Sequence, residues 1–409
     1  MSPADRRRLE RGGLEVIDTP DAYAAALERL ASGRGPVAVD AERASGYRYS
    51  DRAYLVQLFR RDAGTLLIDP IAIGPLDAAH ETIRDQEWVL HAASQDLPCL
   101  RELGMRPRRI FDTELAARLL GMERVGLGSV VRELLGVELA KAHSADDWST
   151  RPLPRSWLAY AALDVELLLD VRDILAERLH GTGKAEAAAQ EFDHVLRREP
   201  SVRREEPWRK YTGTGRHRTA RNLAIARELW TARDELARET DTAPGRLVPD
   251  RSLAAVVQGA PGSKQQLAAM SEFTGRASRS QLDRWWAAIE RGRRSRDLPR
   301  RTQAADDAMP PHRAWGQRAP EADARLRAAR QELNRLSERH EIPAENLLTP
   351  DLLRRTAWQP PQPVTPASVA ERLRELGARP WQVELVAPAV ASAFVEADQG
   401  GAADGERAS

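Results

Sequence analysis

The chain has 409 residues, too many for one ordinary core, so two or three domains are expected. Its 62 basic and 61 acidic side chains leave a formal net charge of +1, which neither requires nor excludes nucleic acid, because a basic face can coexist with an acidic site. The single cysteine, Cys99, excludes an intrachain disulfide and a cysteine metal cluster. Arg6-Arg7-Arg8 has no apolar run behind it and no segment approaches membrane-spanning length, so a cytoplasmic protein without a membrane partner is expected.

In chain order, residues 12–198 alternate strand and helix signals. Asp21–Leu30 has helical apolar spacing, and Val37–Asp40, Tyr54–Phe59 and Thr65–Asp69 are short apolar or β-branched runs bounded by polar residues, Gly or Pro. Ser94 is placed to cap a helix over Gln95–Leu103, and Ile110–Asp112 reads as a strand. Thr113 is placed to cap Glu114–Leu120, with further helices at Gly128–Leu135 and Trp157–Leu179. This is an α/β domain with a mixed sheet.

Residues 199–218 read as a linker. Two all-helical blocks follow, 219–293 and 321–397, separated by an Arg- and Pro-rich linker at 294–320. A small, polar tail over 398–409 is expected to be disordered. The blocks show internal similarity: the segment 244–250 resembles 343–351, each after a long amphipathic stretch.

The chemistry concentrates in acids that interrupt apolar surroundings. On a strand, Asp40 and Glu42 point to one face; on a helix, Tyr160 and Asp164 lie side by side. Asp96 follows the apolar run Trp88-Val89-Leu90. Carboxylates gathered from such places repel one another unless a cation joins them. Together they could surround two Mg²⁺ ions, with Mn²⁺ as the alternative. Two ions about 3.5–4 Å apart would clamp an in-line displacement at phosphorus, with Tyr160 orienting the attacking water.

The order Asp-x-Glu, a later Asp, then Tyr-x-x-x-Asp resembles the tyrosine-containing branch of the DEDD superfamily of 3′–5′ exonucleases. Its flanks extend the likeness: Tyr54–Phe59 followed by Leu67–Pro70, His91–Leu97, Phe111–Ala116, and Asp147–Leu153 before Tyr160. Over roughly 14–180 this set is similar to the ribonuclease D family, and the helical blocks resemble HRDC domains. The resemblance implies an RNase H-like fold, removal of nucleoside 5′-monophosphates from RNA 3′ ends such as tRNA precursors or other structured RNA, and action as a monomer. A DNA-directed exonuclease of repair and a catalytically weak RNA-binding protein are the alternatives.

Other residues divide between site and scaffold. Asp112 is assigned to a supporting hydrogen bond rather than metal ligation, because four carboxylates already fill the ligand set. His91 is expected to be packed near the site. Trp148 and Arg151 either line the RNA path or pack against the helix of Tyr160. Cys99 reads as a buried small apolar residue. Gly181-Thr182-Gly183-Lys184 lacks the full phosphate-loop pattern, so no nucleotide cofactor is expected. Thr212–Arg216 is Gly-rich but has no preceding strand; it reads either as solvated linker or, with Arg209, Lys210, His217, Arg218 and Arg221 nearby, as a segment that touches phosphates. Most of the tryptophans lie after residue 207 and are assigned to packing.

Overall fold

The computed structural model describes residues 14–139, 143–198, 206–210, 219–300 and 309–407. The α/β domain is built on six strands: β1 (Val16–Ile17), β2 (Arg34–Arg43), β3 (Ala53–Arg61), β4 (Gly64–Ile68), β5 (Glu87–Leu90) and β6 (Arg109–Asp112). They lie in the order β1-β4-β3-β2-β5-β6. The β2–β3 and β3–β4 pairs are antiparallel, and β1–β4, β2–β5 and β5–β6 are parallel, so the sheet is mixed. The centre of β3 is buried without alternation, as a strand covered on both faces should be.

Among the described residues nine helices dress the sheet: α1 (Pro20–Ser32), α2 (Pro70–Ile73), α3 (Asp77–Ile83), α4 (Leu97–Glu102), α5 (Thr113–Leu119), α6 (Leu127–Leu135), α7 (Arg155–Glu166), α8 (Leu168–Gly181) and α9 (Ala185–Arg197). The single helix expected over 157–179 is two, broken at Leu167. Each half serves a different surface. Leu158 and Ala161 of α7 pack with Leu55, Leu67 and Trp148, whereas Leu168, Leu169 and Leu175 of α8 enter the main core. Caps differ as well. Helix α4 starts after Asp96, not Ser94, and Asp96 makes no side-chain capping bond. Helix α5 is capped by Asp112 rather than Thr113.

The first helical region comprises α10 (Ala220–Glu239), α11 (Pro244–Leu247), α12 (Asp250–Gly259), α13 (Lys264–Ala269), α14 (Arg276–Ser280) and α15 (Leu282–Arg294). The second comprises α16 (Trp315–Arg318), α17 (Pro320–His340), α18 (Ala344–Leu347), α19 (Pro350–Trp358), α20 (Pro366–Glu375) and α21 (Pro380–Arg407). The long–short–medium order α10-α11-α12 recurs as α17-α18-α19, at the two segments whose sequences resemble each other.

Two expectations need correction here. Trp315, inside the stretch 294–320 read as linker, is fully buried and donates its Nε1–H to Pro310 O at 2.8 Å; one aromatic anchor outweighs the Arg- and Pro-rich composition around it. The tail is helical through Arg407 rather than disordered from 398. Asp398 is held by Arg325 at 2.7 Å, a long-range tie that composition does not reveal. In the first linker, the described residues include a buried Trp208 with Arg209 over its ring at 4.5 Å. The Gly-rich stretch 212–216 lies outside the described residues. Among the described residues no helix is long and apolar enough to cross a membrane.

Candidate active site

Strand β2 carries Asp40 and Glu42 toward its end, two residues apart and so on one face. Across the sheet they stand opposite Gln57 and Leu55 of β3. Leu55 packs against α7 through Leu158 and Ala161, so this is the face that α7 covers. Tyr160 and Asp164 are four positions apart on that helix, which puts both on the side facing β2. One carboxylate oxygen each from Asp40, Glu42 and Asp164 lies within 4.8 Å of the other two.

Asp96 lies in the loop after β5 and is 6% exposed. Its carboxylate faces Arg43, with Nη2 to Oδ1 at 3.5 Å, and the charge of Asp40 acts on it. Asp96 is therefore a neighbour of the three-carboxylate group, on its Arg43 side. Arg43, adjacent to Glu42, is the cation that the sequence reading missed. Its position next to the Asp-x-Glu pair was the available signal.

These acids share an unfavourable environment for charge. Burial, then the charges of Asp40, Asp164 and Asp96, push Glu42 up to about 10. Burial and the charge of Asp40 push Asp164 up to about 8, against a hydrogen bond from Tyr160. Asp40 and Asp96 are both raised, first by burial. Burial, then the Asp164 charge, raises the Tyr160 hydroxyl above its ordinary value, so it stays a neutral donor. Hard oxygen donors crowded in this way fit a hard divalent cation, which removes the repulsion that the group otherwise holds.

A surrounding frame fixes the elements that bear these acids. Asp112, 1% exposed, accepts from Ala92 N (3.1 Å), Ala93 N (2.8 Å), Glu114 N (2.9 Å) and Leu115 N (3.2 Å). It thereby ties the loop leading to Asp96 onto the start of α5. Burial pushes its carboxyl up to about 6. The Cys99 thiol, raised to about 12 by burial, donates to Asp96 O at 3.1 Å. His91 packs with Nδ1 2.9 Å from Thr113 Oγ1, and burial lowers it to about 4, so it is neutral at ordinary pH.

Of the two roles expected for Trp148 and Arg151, the structure shows the packing one. Trp148 is fully buried under α7, its ring 5.2 Å from that of Trp157 and 6.5 Å from that of Tyr160. Arg151 spends its N–H groups internally, on Asp69 (2.6 and 2.9 Å), Tyr54 O (2.7 Å), Trp148 O (2.8 Å) and Thr150 O (2.8 Å). A guanidinium has five N–H donors, and these five bonds leave none for phosphate.

The loop from β2 to β3 is gripped by the first helical region. Tyr49 Oη donates to Asp234 Oδ1 at 3.0 Å and accepts from Arg238 at 3.2 Å. Tyr47 O accepts from Ala243 N at 2.9 Å, and Arg246 stacks 3.7 Å over the Tyr47 ring. Arg246 also donates to Gly46 O at 2.8 Å. This contact begins within a few residues of Glu42, and local sequence gave no sign of it.

Three parts of the chain match known families. Residues 14–180 match the family described as 3'-5' exonuclease, 222–289 match the HRDC domain, and 308–394 match the 3' to 5' exonuclease C-terminal domain. The second helical block, expected to be HRDC-like, is matched by a separately described family model and repeats the element order of the first. The ribonuclease D of Acidiphilium cryptum is 30% identical over 312 residues, covering 72% of this chain and 77% of that protein. Among the curated relatives compared, the aligned part takes in 58% to 77% of their lengths. A solved structure of a protein from Bifidobacterium adolescentis is 39% identical with a TM-score of 0.84, covering 94% of this chain and 98% of that one. Escherichia coli RNase D, an exoribonuclease involved in structured RNA processing, is 28% identical with a TM-score of 0.69, covering 93% and 98%. With a 3′–5′ exonuclease domain holding the acidic group and two helical regions behind it, the chain belongs to the ribonuclease D family.

Proposed function

We propose that the chain is a divalent-cation-dependent 3′–5′ exoribonuclease that releases nucleoside 5′-monophosphates from the 3′ ends of structured RNA, tRNA precursors among them. The observation that carries this reading is the convergence of Asp40, Glu42 and Asp164 within 4.8 Å, with Asp96 beside them. These four would hold two Mg²⁺ or Mn²⁺ ions. When bound, such ions neutralise phosphate, activate water and stabilise the leaving 3′-oxygen.

The chain's own groups do the rest. Tyr160, kept neutral and hydrogen-bonded to Asp164, presents a hydroxyl that orients the attacking water. Asp112 and Cys99 keep the Asp96 loop in place, and Arg151 fixes the segment leading into α7. Arg43 supplies positive charge on the Asp96 side of the group, where a scissile phosphate is attracted. The likeness to Escherichia coli RNase D supports structured RNA as the substrate class.

Matched RNA and DNA oligonucleotides, labelled at the 5′ end, test the reading. RNA should shorten from its 3′ end with 5′-monophosphates as products, in Mg²⁺ and not after chelation. Faster shortening of the DNA would replace the RNA reading, and unchanged activity after chelation would remove the metal.

A further inference from the structure

Gln57 sits in the middle of β3, 0% exposed, and neither its Nε2 nor its Oε1 has a hydrogen-bond partner. A fully buried amide in this state is disfavoured and calls for an explanation. Its place in the sheet supplies one. Gln57 pairs with Asp40 on β2 and with Leu67 on β4. Directly opposed residues in an antiparallel pair share a face, with Cβ atoms about 4.5–5.5 Å apart. Leu67 belongs to the cluster beneath α7 together with Leu55, two residues before Gln57. The unpartnered amide therefore lies on the acidic face, next to Asp40, inside the wall that α7 closes.

Apolar residues surround this position and would suit it better if packing were its only task. Leu55, Leu58, Leu66 and Leu67 are each almost fully buried nearby on β3 and β4. A carboxylate that binds a cation through one oxygen leaves its other oxygen in need of a donor, and such outer partners orient the ligand.

We propose that Gln57 is a positioning residue for Asp40. Its Nε2–H donates to the Asp40 carboxylate when that group takes up a divalent cation, fixing the orientation of the carboxylate at the site. Nε2 stays unpaired in the metal-free chain and gains its acceptor on loading, so part of the site's affinity comes from Gln57 rather than from a ligand.

The proposal rests on Asp40 being a metal ligand, and the test separates the two claims. Gln57→Met and Gln57→Leu remove both polar atoms while keeping the position filled. Their metal-free melting temperatures should equal or exceed that of the wild type, because an unsatisfied amide is gone. Calorimetric titration of RNA-free protein with Mn²⁺ should show affinity weakened about tenfold or more, in the range typical of outer partners of metal ligands. The Mg²⁺ concentration for half-maximal hydrolysis should rise in parallel, with a smaller change in kcat at saturating metal. Mn²⁺ affinity unchanged in both variants overturns the proposal. So does a lower metal-free melting temperature in both, which would mean that the amide is already bonded without metal. Asp40→Asn is the control: if it binds Mn²⁺ like the wild type, the metal reading of Asp40 has failed, and if it alone loses binding, only the role of Gln57 has.

Discussion

The two helical regions share an order of elements but attach to the catalytic domain by different physics. The second packs mainly on itself, and its buried side chains run on into those of the catalytic domain. Its Trp315, Leu326, Val386 and Phe394 belong to the same buried cluster as Val37, Leu58 and Val89 of the sheet. Glu191 of α9 is held there by Arg379 at 2.6 Å and by Trp381 Nε1 at 2.8 Å. The first region encloses a separate core around Leu253, Phe273 and Trp285 and reaches the domain through the polar grip on the loop after Glu42. One region is thus joined to the catalytic domain through continuous apolar packing, and the other is a module held against the loop after Glu42 by polar contacts. A continuous core couples stability, whereas a polar contact between separate cores couples position.

Substitutions in the two cores should break this contrast most sharply. Phe394→Ala should destabilise the catalytic domain together with the second region by about 3–5 kcal/mol, seen as a lower melting temperature for loss of activity. Trp285→Ala should cost a comparable amount but unfold the first region alone. Hydrolysis of a short single-stranded oligonucleotide would then persist while structured RNA is held poorly. A single joint transition for both variants would contradict the division.

Gly121→Ala probes the shared core at its contact with the second region. Gly121 has φ +73°, and a Cβ there would sit 2.6 Å from Glu341 O. Strain of this kind costs about 1–3 kcal/mol, and a melting curve measures it. At the polar contact the effect should be smaller. Asp241 accepts from Tyr49 N at 3.3 Å and lies 4.0 Å from Arg48 and 3.8 Å from Arg52, all partly exposed. Asp241→Ala should therefore cost under about 1 kcal/mol while changing KM for structured RNA more than kcat.

The pH dependence is subtler. Carboxyls raised above their unfolded values, to about 8 for Asp164 and about 10 for Glu42, favour the folded metal-free chain most below their ordinary value of about 4. That contribution is lost as pH rises toward 8 and beyond. The metal-free melting temperature should fall between pH 5 and 9, and Mn²⁺ should suppress the fall by displacing the protons. A metal-free curve that rises over this range would contradict the assigned crowding.

Much of the site was legible because strand and helix periods are local. Asp40 and Glu42 share a strand face, and Tyr160 and Asp164 share a helix face, by spacing alone. What stayed hidden depends on partners far along the chain. The acceptors of Arg151 include Asp69 and the Tyr54 carbonyl, which only the folded sheet brings near. Tyr49 meets Asp234 across 185 residues. The break at Leu167 reflects two surfaces that hydrophobic spacing cannot tell apart. The helical course of 398–407 continues a packed helix into a stretch whose composition alone reads as unstructured.

The central claim is that the acidic group is a divalent-cation centre for hydrolysis, and Asp40→Asn tests it most directly. Mononucleotide release from an RNA 3′ end in Mg²⁺ should fall by about a hundredfold to a thousandfold, as when a charge-stabilising group is removed from a reacting centre. RNA binding measured in Ca²⁺ should stay near the wild-type level. Hydrolysis at an undiminished rate in this variant, with its fold intact, would contradict the account.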